Sequence, residues 1–339
     1  MKVKLEDVCE RGTSNLKQSD IAKTSGDYPI YGASGYIGNT NFYHQEKPYV
    51  AVVKDGAGVG RAALYPANSS VIGTMQYLLP KDNVLPKYLF YVVSYMHLEK
   101  YYTGATIPHI YFKDYKNEEF NLDLLERQAE IVEILEKCEK IIEKRKQEIQ
   151  LLDDIIKARF VEMFGDVKYG TERWGGKPFK DITINLDSKR KPVKDADRKK
   201  MQGIYPYYGA TGIVDYVNDY RQDGEFLLIS EDGKALELRS KPIAFLTSGK
   251  IWVNNHAHVQ QCTDECNMVY LMYHINFMDI SIWVTGIDQK KLNRANLDTI
   301  PIALPPIELQ EQFADFVNQV TKSKLLEFSS LQNHTGMLQ

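Results

Sequence analysis

The sequence has few cysteines, no long apolar run and no excess of positive charge. Its four cysteines, Cys9, Cys138, Cys262 and Cys266, are widely spread over 339 residues, which argues against a disulfide framework and favours a reducing, cytoplasmic location. No apolar segment approaches the roughly 20 residues of a membrane span, and the N-terminus lacks the apolar core of a signal peptide. We therefore expect no membrane association. Because the net charge is −3, any contact with nucleic acid would depend on local basic patches.

Sequence signatures of common nucleotide-dependent enzymes are also missing. The stretch GAGVGR (56–61) ends in arginine instead of glycine and continues as AALYP, which predicts a strand, so it does not fit a dinucleotide-binding loop. The sequence has no P-loop and no Asn/Asp-Pro-Pro-aromatic tetrad of the kind that accompanies methyl transfer to adenine. Asp-x-Lys triplets at 187–189, 197–199 and 288–290 leave a nuclease site as a weak alternative. We expect no catalytic residue, cofactor or metal ion on this chain.

The chain contains an internal repeat. Its clearest element is a Tyr-Gly motif that recurs 177 residues later, and an Asp-Gly pair recurs at the same spacing. The order of the matching segments is kept while their spacing changes by a few residues, which indicates a duplicated domain of about 150–180 residues. The matching segments are YPIYGASGYIG (28–38) with YPYYGATGIVD (205–215), Asp55-Gly56 with Asp232-Gly233, YTGATIPHI (102–110) with VTGIDQKKL (284–292), and LLERQAEIVEIL (124–135) with PIELQEQFADFV (306–317), which sets Gln128 against Gln310.

Each copy has a strand-rich part with late helical segments. Short apolar runs separated by Gly, Pro, Asn and Asp predict strands, and two longer apolar stretches, 86–102 and 267–278, predict helices. The predicted strands are YVAVV (49–53), RAALY (61–65), EFLLI (225–229) and PIAFL (242–246).

A long helix follows the first strand-rich part. No Gly or Pro occurs from Leu124 to Phe164, and apolar residues recur every three or four positions until Gly165, which predicts one helix of about 60 Å. So long an apolar stripe needs another helix, and the segment after Pro306 supplies it. We expect an antiparallel coiled coil with the globular parts at opposite ends; the alternative is that each helix packs on its own domain. The predicted seam residues are Ile131, Ile134, Cys138, Ile141, Ile149, Leu152, Ile156, Phe313, Phe316 and Val320.

The predicted fold class is α+β, with two tandem α/β domains separated by two long antiparallel helices. The predicted segments are a first domain at 1–122, a central long helix at 123–165, a second domain at 166–305, and a C-terminal helix and tail at 306–339. The last helix has few residues left and Gly336 near its end, so we expect it to be shorter than the first.

One constellation has the residue types of a metal site. His256, His258, Cys262 and Cys266 are four possible zinc ligands within eleven residues, which would form a closed structural site. The first copy has no corresponding ligand set and the spacing is not that of a zinc knuckle. A strand with alternating polar residues followed by a turn is therefore the preferred interpretation.

Positive charge is concentrated in the segment SKRKPVKDADRKK (188–200), which holds seven basic residues in thirteen. Pro192 should interrupt any helix, so we expect an exposed loop in which Lys189, Arg190 and Lys191 contact phosphates. A solvated surface loop without a ligand is an almost equally good interpretation.

Polar side chains on the loops of the duplicated scaffold are candidates for reading base edges. Arg or Lys pairs with guanine, Asn or Gln with adenine, and Glu or Asp with the amino group of cytosine, and loops on a rigid sheet are the usual place for binding groups. The candidates are Lys54, Asp55, Arg61, Thr103, Thr106 and His109 in the first copy, and Ser230, Glu231, Lys234, Asn254, Asn255 and His256 in the second.

Taken together, the Tyr-Pro-x-Tyr-Gly-Ala-x-Gly motif, the Asp-Gly loop, the Thr-Gly segment and the Pro-Pro-x-Glu-x-Gln type of helix start resemble the specificity subunit of type I restriction–modification systems. The resemblance implies that each domain is a target-recognition domain that reads one half of a split DNA site in the major groove, while the helices fix the spacing. It further implies that two methyltransferase subunits and the restriction subunits bind this chain, and that S-adenosylmethionine, ATP and Mg²⁺ belong to those partners.

Under this interpretation the motif recurs because two similar readers are needed. We expect its residues to hold turns of the scaffold and not to contact bases: Tyr28, Pro29, Gly32, Gly35, Tyr205, Pro206, Gly209 and Gly212. The alternative function is a coiled-coil adaptor that binds proteins and not DNA.

Overall fold

The computed structural model describes residues 1–21, 25–104, 108–167, 173–287 and 289–336, without the side chains of Asp20 and 326–336. These residues form two compact units, Met1–Ile142 (unit 1) and Glu143–Gly336 (unit 2), so the boundary falls within a long helix. Both units combine strands and helices, which confirms the predicted α+β class. Within the described ranges, no helix has the length and apolar character that a membrane crossing requires.

Unit 1 is built on a four-stranded antiparallel sheet. The elements in chain order are β1 (Lys2–Lys4), α1 (Leu5–Val8), β2 (Cys9–Thr13), α2 (Gln18–Ile21), β3 (Tyr28–Gly32), β4 (Gly35–Thr40), β5 (Tyr49–Val53), β6 (Ala62–Tyr65), β7 (Ser70–Val71), β8 (Met75–Pro80), α3 (Pro86–Tyr95), α4 (Phe112–Tyr115), β9 (Glu119–Asn121) and α5 (Leu125–Phe164). The main sheet has the order β2-β8-β5-β6, a second has β4-β3-β7, and β1 pairs with β9.

Unit 2 repeats this plan in one larger sheet. After the end of α5 the elements are β10 (Gly176–Pro178), β11 (Thr183–Asn185), α6 (Asp195–Arg198), β12 (Gln202–Gly209), β13 (Gly212–Val217), β14 (Gln222–Ser230), α7 (Lys234–Leu238), β15 (Ala244–Val253), β16 (Ala257–Cys262), α8 (Met268–Phe277), α9 (Arg294–Asp298), β17 (Pro301–Ala303) and α10 (Ile307–Gly336). The sheet order is β11-β16-β14-β15-β12-β13, and β10 pairs with β17.

The two sheets correspond strand by strand, which supports the inferred duplication. The order β2-β8-β5-β6 of unit 1 matches β11-β16-β14-β15 of unit 2. The strand register agrees as well. Val50 lies opposite Leu78 in unit 1, and its counterpart in the repeat, Leu227, lies opposite Gln260 in unit 2. Each unit also has a β-hairpin, β3–β4 or β12–β13, whose first strand pairs in parallel with a later strand of the same unit. These parallel pairs are β3 with β7 and β12 with β15. The four strands predicted from apolar runs are confirmed as β5, β6, β14 and β15.

The central strand of each sheet is buried on both faces. In β5, Val50 and Val52 enter one apolar cluster together with α3, while Tyr49, Ala51 and Val53 enter another. Successive side chains of a strand point to opposite faces, so a run of five apolar residues supplies both cores. In unit 2, β14 divides its residues in the same way.

The long helix α5 begins one residue after the predicted start and ends at Phe164, with a length of 40 residues. Gly165 follows with a φ of 88°, a left-handed conformation that glycine adopts readily and that commonly ends a helix. The prediction of one uninterrupted helix is therefore confirmed. Helix α10 is shorter, with 30 residues ending at Gly336.

Within unit 2 the two long helices run antiparallel. The ring of Phe313 lies 5.3 Å from that of Phe160, near the end of α5. Further along α10, Lys324 reaches back to Asp153 at 2.5 Å. Ile149 lines a small apolar cleft with residues of the same stretch of α10. Residues later in α10 therefore contact residues earlier in α5, as expected for antiparallel helices.

The predicted seam needs correction at several positions. Ile156 and Phe313, 1% and 0% exposed, belong to the core of unit 2, and Ile131 packs on the core of unit 1. Ile134 and Ile141 remain 54% and 37% exposed. Near Ile156 and Phe313 the paired helices α5 and α10 also pack on the core of unit 2, so both interpretations hold there. The other predicted positions, Cys138, Ile149, Leu152, Phe316 and Val320, are half-buried.

A buried glutamine fixes the start of each long helix. Gln128 in α5 is fully buried, accepts a hydrogen bond from the Leu85 amide at 2.8 Å and donates to Asn83 and Asp123 carbonyls. Gln310 in α10 is equally buried and makes the same set of bonds, with the Asn267 amide as donor and the Glu265 and Pro305 carbonyls as acceptors. Leu85 and Asn267 are the N-cap residues of α3 and α8.

Replacing Gln310 with alanine should destabilise unit 2 strongly. The Asn267 N–H and the Glu265 and Pro305 carbonyls would each lose a partner, and one unpaired buried group costs about 1–3 kcal/mol. Because only the bond to Pro305 is fully buried and the other two are partly buried, we expect a total loss of about 2–5 kcal/mol. All three tryptophans, Trp174, Trp252 and Trp283, lie in this unit, so urea unfolding followed by tryptophan fluorescence measures its stability.

The control for this prediction is Gln312→Ala, at an exposed position of the same helix. We expect it to change the free energy of unfolding by less than about 0.5 kcal/mol. Equal effects of the two substitutions would contradict an anchoring role for Gln310.

Candidate nucleic-acid interface

In unit 1 the Tyr-Gly hairpin, the Asp-Gly loop and the Thr-Gly segment lie together. Strands β3 and β4 pair through Gly32 and Gly35, so the turn between them has two residues. Arg61, beyond the Asp-Gly loop, donates from Nη2 to the Ala33 carbonyl of that turn at 2.5 Å. A cleft of about 530 Å³ between turn and loop is lined by Ala33, Asp55 and Arg61 among others. Sequence elements far apart in the chain thus form one surface feature.

The guanidinium of Arg61 lies directly over Gly58 of the loop. Gly58 has a φ of 85°, and a Cβ at this position would lie 2.9 Å from Nη2 of Arg61. A side chain at Gly58 would therefore displace the arginine, and the glycine is required for both the loop conformation and the close approach.

Unit 2 makes the same hairpin and anchors it with a different residue. Gly209 and Gly212 close the turn between β12 and β13. Here Ser230, at the end of β14, donates from Oγ to the Ala210 carbonyl at 2.6 Å. Ala33 and Ala210 occupy corresponding positions of the repeat, so each unit binds the same turn carbonyl through a non-equivalent side chain.

The backbone around the Asp-Gly pair is identical in plan in the two units. The residue before the aspartate donates its backbone N–H to the carbonyl of the residue just before the neighbouring strand, β8 or β16. Its own carbonyl accepts a hydrogen bond from the last residue of the Thr-Gly segment. These bonds are Lys54 N–H to Thr74 O at 3.0 Å and Ile110 N–H to Lys54 O at 2.9 Å in unit 1, and Glu231 N–H to His256 O at 2.9 Å and Leu292 N–H to Glu231 O at 2.8 Å in unit 2.

Each unit also pairs the aspartate with an imidazole. Nδ1 of His109 lies 2.6 Å from Oδ1 of Asp55, and Nδ1 of His256 lies 2.8 Å from Oδ2 of Asp232. The carboxylates are equivalent in the repeat, and the histidines are not. The backbone position of His109 is taken by Lys291 in unit 2, because both pair with the threonine of the Thr-Gly segment.

Unit 2 adds a buried ionic network behind its Asp-Gly loop. His258 is 1% exposed, and its Nδ1 lies 2.6 Å from Asp187 Oδ2 while its Nε2 lies 2.8 Å from the Leu292 carbonyl. Both partners are acceptors only, so both ring nitrogens donate and the ring is positively charged. Glu231 lies 3.8 Å from Nε2 and binds Arg190 at 2.5 Å and Lys291 at 2.9 Å.

The network lowers the pKa of both of its carboxyl groups. Burial by itself raises the pKa of Asp187, but hydrogen bonds from His258 and the Val259 amide outweigh it and hold the pKa below its ordinary value. For Glu231, burial is again opposed, here by hydrogen bonds from Arg190 and Lys291, and the pKa is lowered. Both carboxylates therefore stay ionised inside the unit.

The basic segment differs from the predicted exposed loop. It contains the short helix α6, and two of its arginines serve the fold. Arg190, with a side chain 16% exposed, binds Asp187 and Glu231, and Arg198 binds Asp195 and Asp215. A buried ion pair needs its cation in place, so Arg190 is not available to DNA as predicted. Lys189 and Lys191 are exposed and remain predicted phosphate contacts.

The other predicted contacts divide into loop supports and exposed groups. Ser230, Glu231 and Asn254 are buried; Asn254 accepts a hydrogen bond from the His256 amide at 2.8 Å, so all three position the loops. Thr106 lies outside the described residues. The remaining candidates are exposed or half-buried at the loops where they were predicted: Lys54, Asp55, Arg61, Thr103, His109, Lys234, Asn255 and His256.

The proposed scaffold residues form the hairpins. Tyr28 and Pro29 lie on β3, Tyr205 and Pro206 lie on β12, and the four motif glycines, Gly32, Gly35, Gly209 and Gly212, close the two turns. The turn geometry agrees with the scaffold role, and the absence of base contacts stays a prediction.

The zinc alternative receives no support from the geometry. His256 turns to Asp232 and His258 turns to Asp187. Across residues 173–287, and in the other described ranges, no three His, Cys, Asp or Glu side chains are arranged to hold a metal ion. Sequence reasoning noticed Asp187 and His258 only within motifs that the structure does not form, because nothing local indicates that they meet.

Comparisons with known proteins agree on one family. A model of the type I restriction modification DNA specificity domain matches residues 1–151 and 172–332. A putative type I restriction enzyme specificity subunit of Haemophilus influenzae is 37% identical over 145 residues, which cover 43% of this chain and 37% of that protein. The EcoprrI specificity subunit of Escherichia coli is 24% identical over 150 residues, covering 42% and 36%. Both alignments span less than two thirds of the curated relatives.

A solved structure has a similar fold. The type I restriction-modification system S subunit from M. genitalium superimposes with a TM-score of 0.60 at 16% identity, covering 100% of this chain and 93% of that chain. At this identity the similarity concerns the fold alone.

Replacing Asp187 with asparagine should make unit 2 less stable at neutral pH and less sensitive to acid. Loss of one partner from a buried ion pair costs about 3–5 kcal/mol. Because the folded-state pKa of Asp187 is lowered, its contribution is complete above about pH 4, the ordinary carboxyl range, and is lost as pH falls through the folded-state pKa. The difference from wild type should therefore shrink in acid, as measured by urea midpoints from tryptophan fluorescence between pH 7 and 3.

Asp197→Asn, at an exposed position of α6, is the matched control and should follow the wild-type curve. A difference between Asp187→Asn and wild type that stays constant down to pH 3 would contradict the ionised pair.

Proposed function

The chain belongs to the type I restriction modification DNA specificity domain family, and we propose that it is the specificity subunit of such a system, which binds double-stranded DNA with one half-site for each unit. The observation that carries this proposal is the duplicated loop cluster, built on the same backbone plan in both units and furnished with different side chains. Two readers of different sequences need a common frame with divergent contact groups.

The exposed side chains around each cluster suit a DNA groove. Arg61 and Asp55 border the cleft of unit 1, and this pair of residue types complements guanine acceptors and the cytosine amino group. In unit 2, Asn255 and His256 are exposed, and His256 contacts Asp232. The loops are short and held by backbone hydrogen bonds, so the contact groups are pre-positioned and lose little entropy on binding.

The long helices are proposed to set the spacing between half-sites and to bind the partner subunits. Helix α5 carries apolar side chains that stay exposed, including Ile134 at 54%, Leu151 at 58% and Ile155 at 47%, which suits a protein-binding surface. The proposed partners are two methyltransferase subunits and the restriction subunits in the cytoplasm. Recognition then belongs to this chain, while chemistry with S-adenosylmethionine, ATP and Mg²⁺ belongs to the partners.

Footprinting of the purified complex on random-sequence duplexes tests the function. Selection and sequencing of the bound DNA should give two short sequence blocks separated by a fixed gap of unspecified bases. A chain that binds no DNA at low salt in the presence of its methyltransferase partner would refute the specificity role and favour the protein adaptor. Cleavage by this chain with Mg²⁺ alone would indicate a nuclease instead.

Substituting alanine for Lys189 or Lys191 should weaken binding to every sequence alike. Each lost phosphate contact should lower the slope of log K against log salt by about 0.9, with no change in the selected sequence. Binding titrations at several salt concentrations, on cognate and unrelated duplexes, measure both effects.

Lys177→Ala provides the control. This lysine is not a predicted phosphate contact, and it forms an ion pair with Glu265 at 2.5 Å beside the start of α8. Arg190→Ala should behave differently from the two lysine variants by destabilising unit 2. An unchanged salt slope in the lysine variants would contradict a phosphate role.

A further inference from the structure

The aspartate–histidine pair of each unit has been assembled from different parts of the chain. In unit 1 the imidazole comes from His109 in the Thr-Gly segment, and in unit 2 it comes from His256, just before β16. The position equivalent to His109 is Lys291, and the position equivalent to His256 is Thr74, as the shared backbone hydrogen bonds show. Inheritance from a common ancestral domain would keep one position, so the recurrence of the pair indicates a shared use.

The pair fixes which ring nitrogen faces outward. An ionised carboxylate only accepts hydrogen bonds, so Nδ1 of each histidine carries the proton and, in the neutral ring, Nε2 is an acceptor on the far side. The histidine side chains are 38% and 46% exposed, whereas those of Asp55 and Asp232 are 31% and 11% exposed. Among the residues that the structure describes, neither outward Nε2 has a hydrogen-bond partner.

Both imidazoles are held on rigid backbone. His109 exchanges two backbone hydrogen bonds with Thr103, each 2.8 Å long. The His256 amide is bound by the Asn254 side chain at 2.8 Å, and Asn254 is itself buried. The direction of each Nε2 is therefore fixed before any ligand arrives, as a reading group requires.

We propose that in each unit Nε2 of this histidine accepts a hydrogen bond from an exocyclic amino group in the DNA major groove, either adenine N6 or cytosine N4. The inference rests on the proposed function and assigns one base-reading atom to each half-site. A phosphate is disfavoured as the partner because in the neutral ring Nε2 is an acceptor and offers a phosphate oxygen no proton.

Two substitutions separate the outward contact from the internal one. In His109→Asn and His256→Asn the amide nitrogen replaces Nδ1 and keeps the bond to the aspartate, while Nε2 is lost. In His109→Gln and His256→Gln the longer side chain places an amide oxygen near the former Nε2. We expect the asparagine variants to lose about tenfold in affinity for the cognate duplex and the glutamine variants to retain most of it.

Modified DNA identifies the partner base. In cognate duplexes, purine replaces adenine, or pyrimidin-2-one replaces cytosine, at one position at a time, which removes one amino group. One position in each half-site should cost the wild-type complex about tenfold, and that position should cost the matching asparagine variant nothing further. The two base analogues distinguish adenine from cytosine as the source of the amino group.

The outcomes separate this inference from the function on which it rests. If the wild-type complex gives the two-block footprint but every asparagine variant loses affinity equally at all positions and sequences, Nε2 does not read an amino group and the inference fails alone. Loss of affinity in the glutamine and asparagine variants alike, with lowered thermal stability, would show a purely structural pair. Absence of any footprint from the wild-type complex would overturn the proposed function itself.

Discussion

A fully buried glutamine amide at the start of each long helix is the contact on which the rest of the architecture depends. It joins three backbone groups that would otherwise be orphaned, at the point where helix, strand and preceding loop converge. Since an unpaired buried polar group is costly, the amide fixes the direction in which each helix leaves its own unit. The spacer role proposed for α5 requires such a joint, because with a loose hinge the length of α5 would not set any distance.

The two units share backbone hydrogen bonds but differ in the side chains that those backbones carry. Backbone hydrogen bonds around the Asp-Gly pair are kept, while the side chain that anchors the hairpin turn changes from Arg61 to Ser230. A buried Leu78 is matched by Gln260, whose amide finds no partner among the described protein groups. The frame tolerates such changes because its main-chain bonds do not depend on side-chain identity. Divergence then falls on the loops, where different DNA sequences would require it.

The ionic network of unit 2 explains why this loop cluster can be rigid despite its charges. Asp187, Glu231, Arg190 and His258 neutralise one another away from water, and breaking any one pair leaves an uncompensated buried charge. Arg190 and Arg198 of the basic segment thus stabilise the fold through ion pairs. Lys189 and Lys191 keep their charges exposed. Charge density in a sequence therefore overstates the charge that a ligand meets.

The duplication, the strands and the long helix could be predicted from the amino-acid sequence because each has a local signature: a repeated motif, a short apolar run, or a three-to-four periodicity ended by Gly165. The sequence also placed Asp55 at the candidate interface through its glycine-rich loop, and His109 and His256 through their expected position on loops of the duplicated scaffold. Three features became visible only in the folded chain: Arg190 is mostly enclosed in an ion-pair network, Ile156 and Phe313 complete a domain core, and His258 meets Asp187 across 71 positions of chain. Such pairings arise from the way strands are brought side by side, and no local pattern of residues encodes which distant side chains the sheet will set next to each other.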